Sequence, residues 1–167
     1  MRRVAALAGS AAFLLLAPGV MAGLVPWWLT GWEMESPLPF WAPLRIVGAA
    51  LVVLGALALL WSFLRFALDG AGTPAPVAPT ERLVVGGLYR YVRNPMYVAV
   101  AATIVGQALL LGQSILLGYA ALFLAVTAGF VRLYEEPTLQ RSYGEEYEAY
   151  RRAVPGWWPR RPRRTAP

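Results

Sequence analysis

The chain has 167 residues, 58% of them apolar and 14% charged. A soluble domain of this size carries about 45–50% apolar and about 25% charged residues, so the balance points to a lipid-facing protein. It also excludes disorder, which needs low hydrophobicity and high charge. Cys and His are both absent, which removes disulfides, thiolate or imidazole metal sites, Cys nucleophiles and imidazole bases.

The net charge of +6 is carried by Arg alone, since the chain has no Lys. Four arginines and three acids precede Glu81, whereas eleven arginines and six acids follow from there on. The basic residues lie outside the apolar runs, so the balance reads as membrane topology and contact with anionic headgroups. It does not call for a nucleic-acid partner.

A bilayer core of about 30 Å needs about 20 helical residues to cross it. Val4 to Leu29 meets that length, with Pro18 expected to kink it. Arg2-Arg3, the apolar run and Val20-Met21-Ala22 also fit a signal peptide with its cleavage site. The run continues past Ala22 to Trp27-Trp28, which favours an uncleaved span. Pro43 to Leu68 forms a second span, with Arg45 and Arg65 near its ends, where long side chains snorkel. Tyr97 to Leu133 has one charge, Arg132, close to its end. As a single helix it would run about 55 Å at ~1.5 Å per residue, too long for one crossing. Gly112-Gln113-Ser114 divides it into a hairpin of two short spans, rich in the small residues that close packing in lipid prefers.

The fold expected is therefore all-α, a polytopic bundle of about four transmembrane helices followed by a C-terminal cytoplasmic helical segment. The positive-inside rule puts Arg2-Arg3, the 69–96 segment and the Arg-rich C-terminus in the cytoplasm. The 30–42 loop, with Glu33 and Glu35, and the uncharged hairpin tip then lie outside.

Several motifs are empty on inspection. Gly70-Ala71-Gly72-Thr73-Pro74-Ala75 matches a dinucleotide fingerprint literally, but it follows a membrane helix, and Pro74, Pro76 and Pro79 prevent a helix from opening there. No phosphate-binding Walker loop occurs, and without His no hydrolase triad can be assembled. Trp27-Trp28 and Trp157-Trp158 read as interfacial anchors.

Two polar segments remain. The first runs from Gly86 through Tyr89-Arg90-Tyr91-Val92-Arg93-Asn94-Pro95-Met96-Tyr97. Pro95 confines Asn94 to extended backbone and suits the first turn of the next helix, which puts Arg93 and Asn94 at a helix N-terminus, a natural anion site. The second holds Tyr134-Glu135-Glu136-Pro137-Thr138-Leu139, Tyr143-Gly144, Tyr147 and Tyr150, and ends at Val154-Pro155-Gly156-Trp157. The hairpin returns Glu135 and Glu136 to the face that carries Arg93, so Arg93, Asn94, Tyr97, Glu135 and Glu136 can share one pocket. Plainer readings exist. Arg90 and Arg93 could be positive-inside charges, and Tyr89, Tyr91, Tyr97 and Tyr134 belt aromatics. Tyr143, Tyr147 and Tyr150 could form one face of a short amphipathic helix. Acids at a cytoplasmic boundary gain nothing from anionic lipid, although Glu135 could serve as the ion-pair partner of Arg132 or Arg93.

Together, Gly87 to Tyr97 and, about forty residues on, Glu135-Glu136-Pro137-Thr138-Leu139 with Tyr143-Gly144-Glu145-Glu146-Tyr147-Glu148-Ala149-Tyr150 resemble the isoprenylcysteine carboxyl methyltransferase family. That family belongs to a wider group that includes phospholipid N-methyltransferases. The resemblance covers roughly residues 80–160. It implies S-adenosyl-L-methionine as methyl donor, bound at the cytoplasmic face without a Rossmann domain, in an integral protein of the bacterial inner-membrane type. Carried over by position, Arg93, Asn94, Pro95 and Tyr97 occupy an R-H-P-x-Y element, Glu135 and Glu136 the acidic pair that contacts the cofactor, and Tyr147 and Tyr150 the segment that covers it. Tyr89 joins the cofactor set, and Arg93, Asn94 and Glu136 form the catalytic set. The departure is Asn94, where better-known members carry His, and Asn cannot titrate. Pro137 is expected to break its helix locally. The resulting division of the single membrane domain is two spans in 1–68, a linker and cofactor loop in 69–96, the hairpin in 97–133, the covering segment in 134–158 and a basic tail in 159–167.

The chemistry is consistent. The cofactor offers a carboxylate to Arg93, an amino group and ribose hydroxyls to Glu135 or Glu136, and a sulfonium to aromatic faces. Methyl transfer depends on positioning and a charge-matched site and needs no metal. A carboxylate or thiolate acceptor attacks without a base, whereas an ammonium must first lose a proton. The missing His therefore favours a lipophilic carboxylate or thiol over an amine, with phospholipid N-methylation as the alternative. An NADPH-dependent sterol-type reductase and a non-enzymatic scaffold are the competing readings.

Overall fold

The computed structural model describes residues 12–69 and 82–160, which form helices joined by short loops without a strand. Helix α1 covers Ala12–Thr30, α2 Ala42–Asp69, α3 Pro95–Leu111, α4 Ile115–Phe130 and α5 Glu136–Ala153. Arg2-Arg3, the glycine-rich stretch 70–75 and residues 161–167 of the tail lie outside the described residues. Helices α1 and α2, and the helical run that starts with α4, are long and apolar enough to cross a membrane. Helix α3 has 17 residues, about 25 Å at ~1.5 Å per residue, and is shorter than α1, α2 and that run.

The hairpin expected within 97–133 is present. Gly112 ends α3 in the left-handed conformation (φ 76) and donates its N–H to the Ala108 carbonyl. The chain then turns through Gln113 and Ser114 into α4.

Helices α2 and α3 touch backbone to backbone. A Cβ on Gly106 would fall 2.8 Å from the Gly48 carbonyl oxygen, and one on Gly55 would fall 2.9 Å from that of Ala99. Neither can be accommodated without moving main chain, so the small residues set the interaxial distance. The core beside this seam is built by Leu59 and Phe63 of α2, Ile104, Ala108 and Leu111 of α3, and Leu116 and Ala120 of α4. Outward-facing Leu54, Leu122 and Val126 are mostly exposed, as lipid-facing positions should be.

The helical pattern of α1 is interrupted at Ala17, beside Pro18, and a widened, π-helical turn follows at Val20–Leu24. There the Ala22 carbonyl accepts a 2.6 Å bond from Gln107 Nε2, while Trp32 Nε1 donates to Gln107 Oε1 at 3.3 Å. A buried amide in an apolar bundle is thus satisfied on both sides, which its burial requires.

The loop after α1 packs on the hairpin tip. Glu35 N–H donates to the Leu111 carbonyl (2.7 Å), Gln113 Nε2 to the Glu33 carbonyl (3.2 Å) and Trp41 Nε1 to the Leu109 carbonyl (2.8 Å). The 31–41 loop and the tip therefore share one end of the bundle. The segments 82–94 and 131–160 gather at the other.

Candidate cofactor site

At that second end, a 3-10 turn at Gly87–Arg90 leads to Arg93, Asn94 and the start of α3. Gly87 has φ 59, and a Cβ there would meet Arg65 Cγ and Trp61 Nε1, each at 3.2 Å. The left-handed backbone favours glycine there, and the two side chains pack closely against it. Asn94 precedes α3 at φ −114, ψ 53, with Pro95 in the first turn. The backbone is less extended than the pre-proline position alone suggests. Its side chain does not cap the helix; Nδ2 donates to the Gly156 carbonyl at 3.1 Å.

The two polar segments are joined by main chain. Arg93 N–H donates to the Pro155 carbonyl (2.9 Å), Asn94 N–H to that of Gly156 (3.2 Å) and Arg160 N–H to that of Tyr91 (3.0 Å). A Cβ on Gly156 would lie 3.2 Å from Arg93 Nη2, so the arginine packs closely against this glycine.

Arg93 is the hub. Its Nη1 meets Glu136 Oε1 at 2.7 Å and Tyr147 OH at 3.0 Å, and its Nε donates to the Val154 carbonyl at 3.1 Å. The ion pair is sheltered, with side chains 14% and 19% exposed. Arg151 Nη2 stands 4.0 Å from the other Glu136 oxygen. Arg93 thus stands just before the start of α3, as the sequence suggests, with a carboxylate, a phenol and a carbonyl as its partners. Intramolecular partners already hold two of its three nitrogens.

Glu135 differs from its neighbour. Its Oε2 accepts a 3.1 Å bond from Tyr97 OH, and neither Arg132 nor Arg93 pairs with it among the described residues. Burial pushes its carboxyl above the ordinary range; the Tyr97 bond opposes this, and the Glu136 charge adds to it. Tyr89 is buried, and desolvation raises its phenol well above 10, reinforced by Tyr150, Glu135 and Tyr97. Tyr150 OH donates to the Tyr89 carbonyl at 2.7 Å, which fastens α5 over the 3-10 turn.

The α-helical pattern is broken locally before Pro137, as the sequence suggests: a second π-helical turn covers Val131–Glu135, and Pro137 falls in the first turn of α5. Helix α5 departs from expectation once. Gly144 is non-helical (φ 54, ψ −122). Tyr143 therefore lies on one side of a kink and Tyr147 and Tyr150 on the other, so the expected single tyrosine face is interrupted.

Tyr89, Arg93, Asn94, Pro95, Tyr97, Glu135, Glu136, Tyr147 and Tyr150 all fall in this end of the bundle. The structure adds Trp157, whose ring lies 6.3 Å from that of Tyr97, and the carbonyls of Val154 and Gly156. Trp158, 84% exposed, keeps the anchor-like character expected of the pair; Trp157 does not. On the far side of 91–95, an open groove of about 420 Å³ runs between α2 and α3. Leu54, Gly55, Ala58, Val98, Ala102 and Tyr91 line it, and Arg160 stands at its end.

The fold and site define a helical membrane protein with a charged, aromatic-rich site at one end. Residues 44–146 match the family model described as Phospholipid methyltransferase, and the chain belongs to that family. The match takes in Arg93, Asn94, Tyr97, Glu135 and Glu136 and stops one residue before Tyr147. No curated protein and no solved structure matches the chain. Membership makes this an integral membrane protein of a methyltransferase family, ahead of the reductase and scaffold alternatives.

Proposed function

We propose that the protein transfers the methyl group of S-adenosyl-L-methionine to a lipophilic acceptor at the cytoplasmic face of the membrane. One observation carries this reading. The charged cluster of Arg93, Glu135 and Glu136 and the apolar groove between α2 and α3 share the segment 91–95. A polar donor and an apolar acceptor can thus approach one another across a single stretch of chain.

The residues present suit the cofactor by charge. Glu135 offers a half-buried carboxylate that no ion pair engages among the described residues, Tyr97 and Trp157 offer aromatic faces, and Arg93, Glu136 and Tyr147 form a polar, hydrogen-bonded group. When bound, the cofactor supplies an electrophilic methyl on sulfur. The chain's own contribution is to orient the reactants, to exclude water beneath Tyr147 and Tyr150, and to hold fixed charges near the sulfur. The groove's size falls within the range of small-molecule sites, about 300–1,000 Å³, and its apolar walls suit an acyl or prenyl chain.

An isoprenylcysteine-like carboxylate or a thiolate needs no base. A phospholipid amine does, and one observation favours that second reading. Glu135 has a raised carboxyl pKa and sits on the required face, where it can take the ammonium proton despite the absence of His. Methyl transfer from labelled cofactor to candidate lipids, followed against pH, tests both. An amine acceptor gives a rate that rises with pH through the Glu135 ionisation and that collapses in Glu135→Gln. A carboxylate or thiolate acceptor does not require that carboxylate as a base. No transfer to any lipophilic carboxylate, thiol or amine overturns the proposal.

A further inference from the structure

We propose that the groove between α2 and α3 is a site for one chain of a membrane lipid, and that Arg160 at its end holds that lipid's phosphate. The groove exists because the two helices meet through small residues. A Cβ on Gly55 would fall 2.9 Å from the Ala99 carbonyl oxygen, so the backbones touch there. Gly55, Ala58, Ala99 and Ala102 line the groove beside that contact and are too short to fill it. Leu54 and Val98 add apolar wall, and among the lining residues only Tyr91 and Arg160 carry polar side-chain groups. The space therefore suits a hydrocarbon chain in shape and in polarity.

The polar end decides what kind of lipid. Arg160 is exposed, and no carboxylate pairs with it among the described residues. The nearby acids are engaged elsewhere, Glu136 by Arg93 and Glu135 by Tyr97. A snorkelling arginine reaches for water or for any headgroup, but the main chain of this one is pinned. Its N–H donates to the Tyr91 carbonyl at 3.0 Å, and Pro159 restricts the backbone just before it. A guanidinium held at the mouth of an apolar groove matches a phosphate by charge and by its planar fork of donors. Arg160 also lies beyond residues 44–146, which match the family, so this contact belongs to the chain's own C-terminal segment. A lipid seated here need not be the methyl acceptor, and in that respect the site goes beyond the methyl-transfer reading.

The test is lipid titration of the purified full-length protein in detergent, read by native mass spectrometry with no cofactor added. The probes are phosphatidylglycerol and a diacylglycerol with the same chains, which lacks the phosphate. Wild type should bind phosphatidylglycerol about tenfold more tightly than the diacylglycerol, and Arg160→Gln should reduce that preference about fivefold. Arg160→Lys keeps the charge without the fork and should reduce it about twofold. Ala102→Phe fills the groove and should weaken both lipids at least about fivefold. The double variant Arg163→Gln/Arg164→Gln, in the basic tail, should stay within about twofold of wild type. Phosphatidylglycerol with a photoreactive group at mid-chain should label α2 and α3 near Ala58 and Ala102, which decides the matter even if Ala102→Phe does not fold. Equal affinity of wild type for the two lipids, a tail variant that loses as much as Arg160→Gln, or labelling confined to other helices overturns the site. So does a dimer that the folded Ala102→Phe variant disrupts and lipid does not, since a second copy would then occupy the groove. With no cofactor present, each of these results stands apart from the fate of the methyl-transfer reading.

Discussion

Replacing Glu136 by Gln removes one charge from the hub and leaves its shape intact. Arg93 Nη1 then faces a neutral amide where a carboxylate stood at 2.7 Å, and it keeps Tyr147 OH and the Val154 carbonyl. A hydrogen bond between charged groups contributes about 1.5–3 kcal/mol and a neutral one about 0.5–1.5. The exchange should therefore cost about 1–2 kcal/mol of stability. Arg93→Gln should cost more, about 3 kcal/mol, because it strands Glu136 in a sheltered position and weakens the contacts to Tyr147 and Val154. The two losses share one interaction, so they should not add. A double-mutant cycle by thermal unfolding in detergent should give a coupling energy of at least about 1 kcal/mol. Coupling below about 0.3 kcal/mol would show that this ion pair does not organise the site, and the hub would have to be abandoned.

Glu135→Gln should act in the opposite sense. The folded-state pKa of Glu135 is raised, so its ionisation opposes folding. That penalty is absent below the unfolded carboxylate pKa and grows as pH rises through the folded value. The variant should therefore melt higher than wild type at pH 8 and equal it near pH 4; an advantage that is greater at pH 4 contradicts the burial argument. Gly144→Ala places a Cβ at φ 54, ψ −122 and should cost about 1–3 kcal/mol, read as a lower midpoint of unfolding, and an unchanged midpoint would mean that the kink is not required. Reporter fusions should place Gly72 and Arg163 in the cytoplasm and Glu35 outside, and an external C-terminus would invert the orientation.

The spans were legible because apolar run length and Arg placement act locally. Gly112-Gln113-Ser114 marked the hairpin, since a helix of that length cannot remain in a bilayer. The grouping of Arg93, Tyr97, Glu135 and Glu136 followed from the hairpin alone, which must return the second segment to the first. The partnerships were not legible. Whether Arg93 pairs with Glu135 or with Glu136 depends on the helical phase at 131–137, and the π-helical turn there shifts that phase without a mark in the residue pattern. Trp157 was read with Trp158 as an anchor because adjacent tryptophans look alike in sequence. Only the main-chain pairing of 93–94 with 155–156 turns one inward, and backbone pairing leaves no side-chain signature beyond Pro155-Gly156. Gly48, Gly55 and Gly106 were visible as small residues, but their mutual contact required the crossing of α2 and α3.

The most direct measurement is a calorimetric titration of the purified full-length protein with S-adenosylmethionine, S-adenosylhomocysteine and NADPH, on wild type and on Arg93→Ala and Glu136→Gln. Wild type should bind both adenosyl compounds and not NADPH. Each variant should lose about 1.5–3 kcal/mol of that binding, the scale of a charge-assisted hydrogen bond. Folded variants that bind like wild type would move the cofactor away from this cluster, and a wild type that binds NADPH and neither adenosyl compound would contradict methyl transfer altogether.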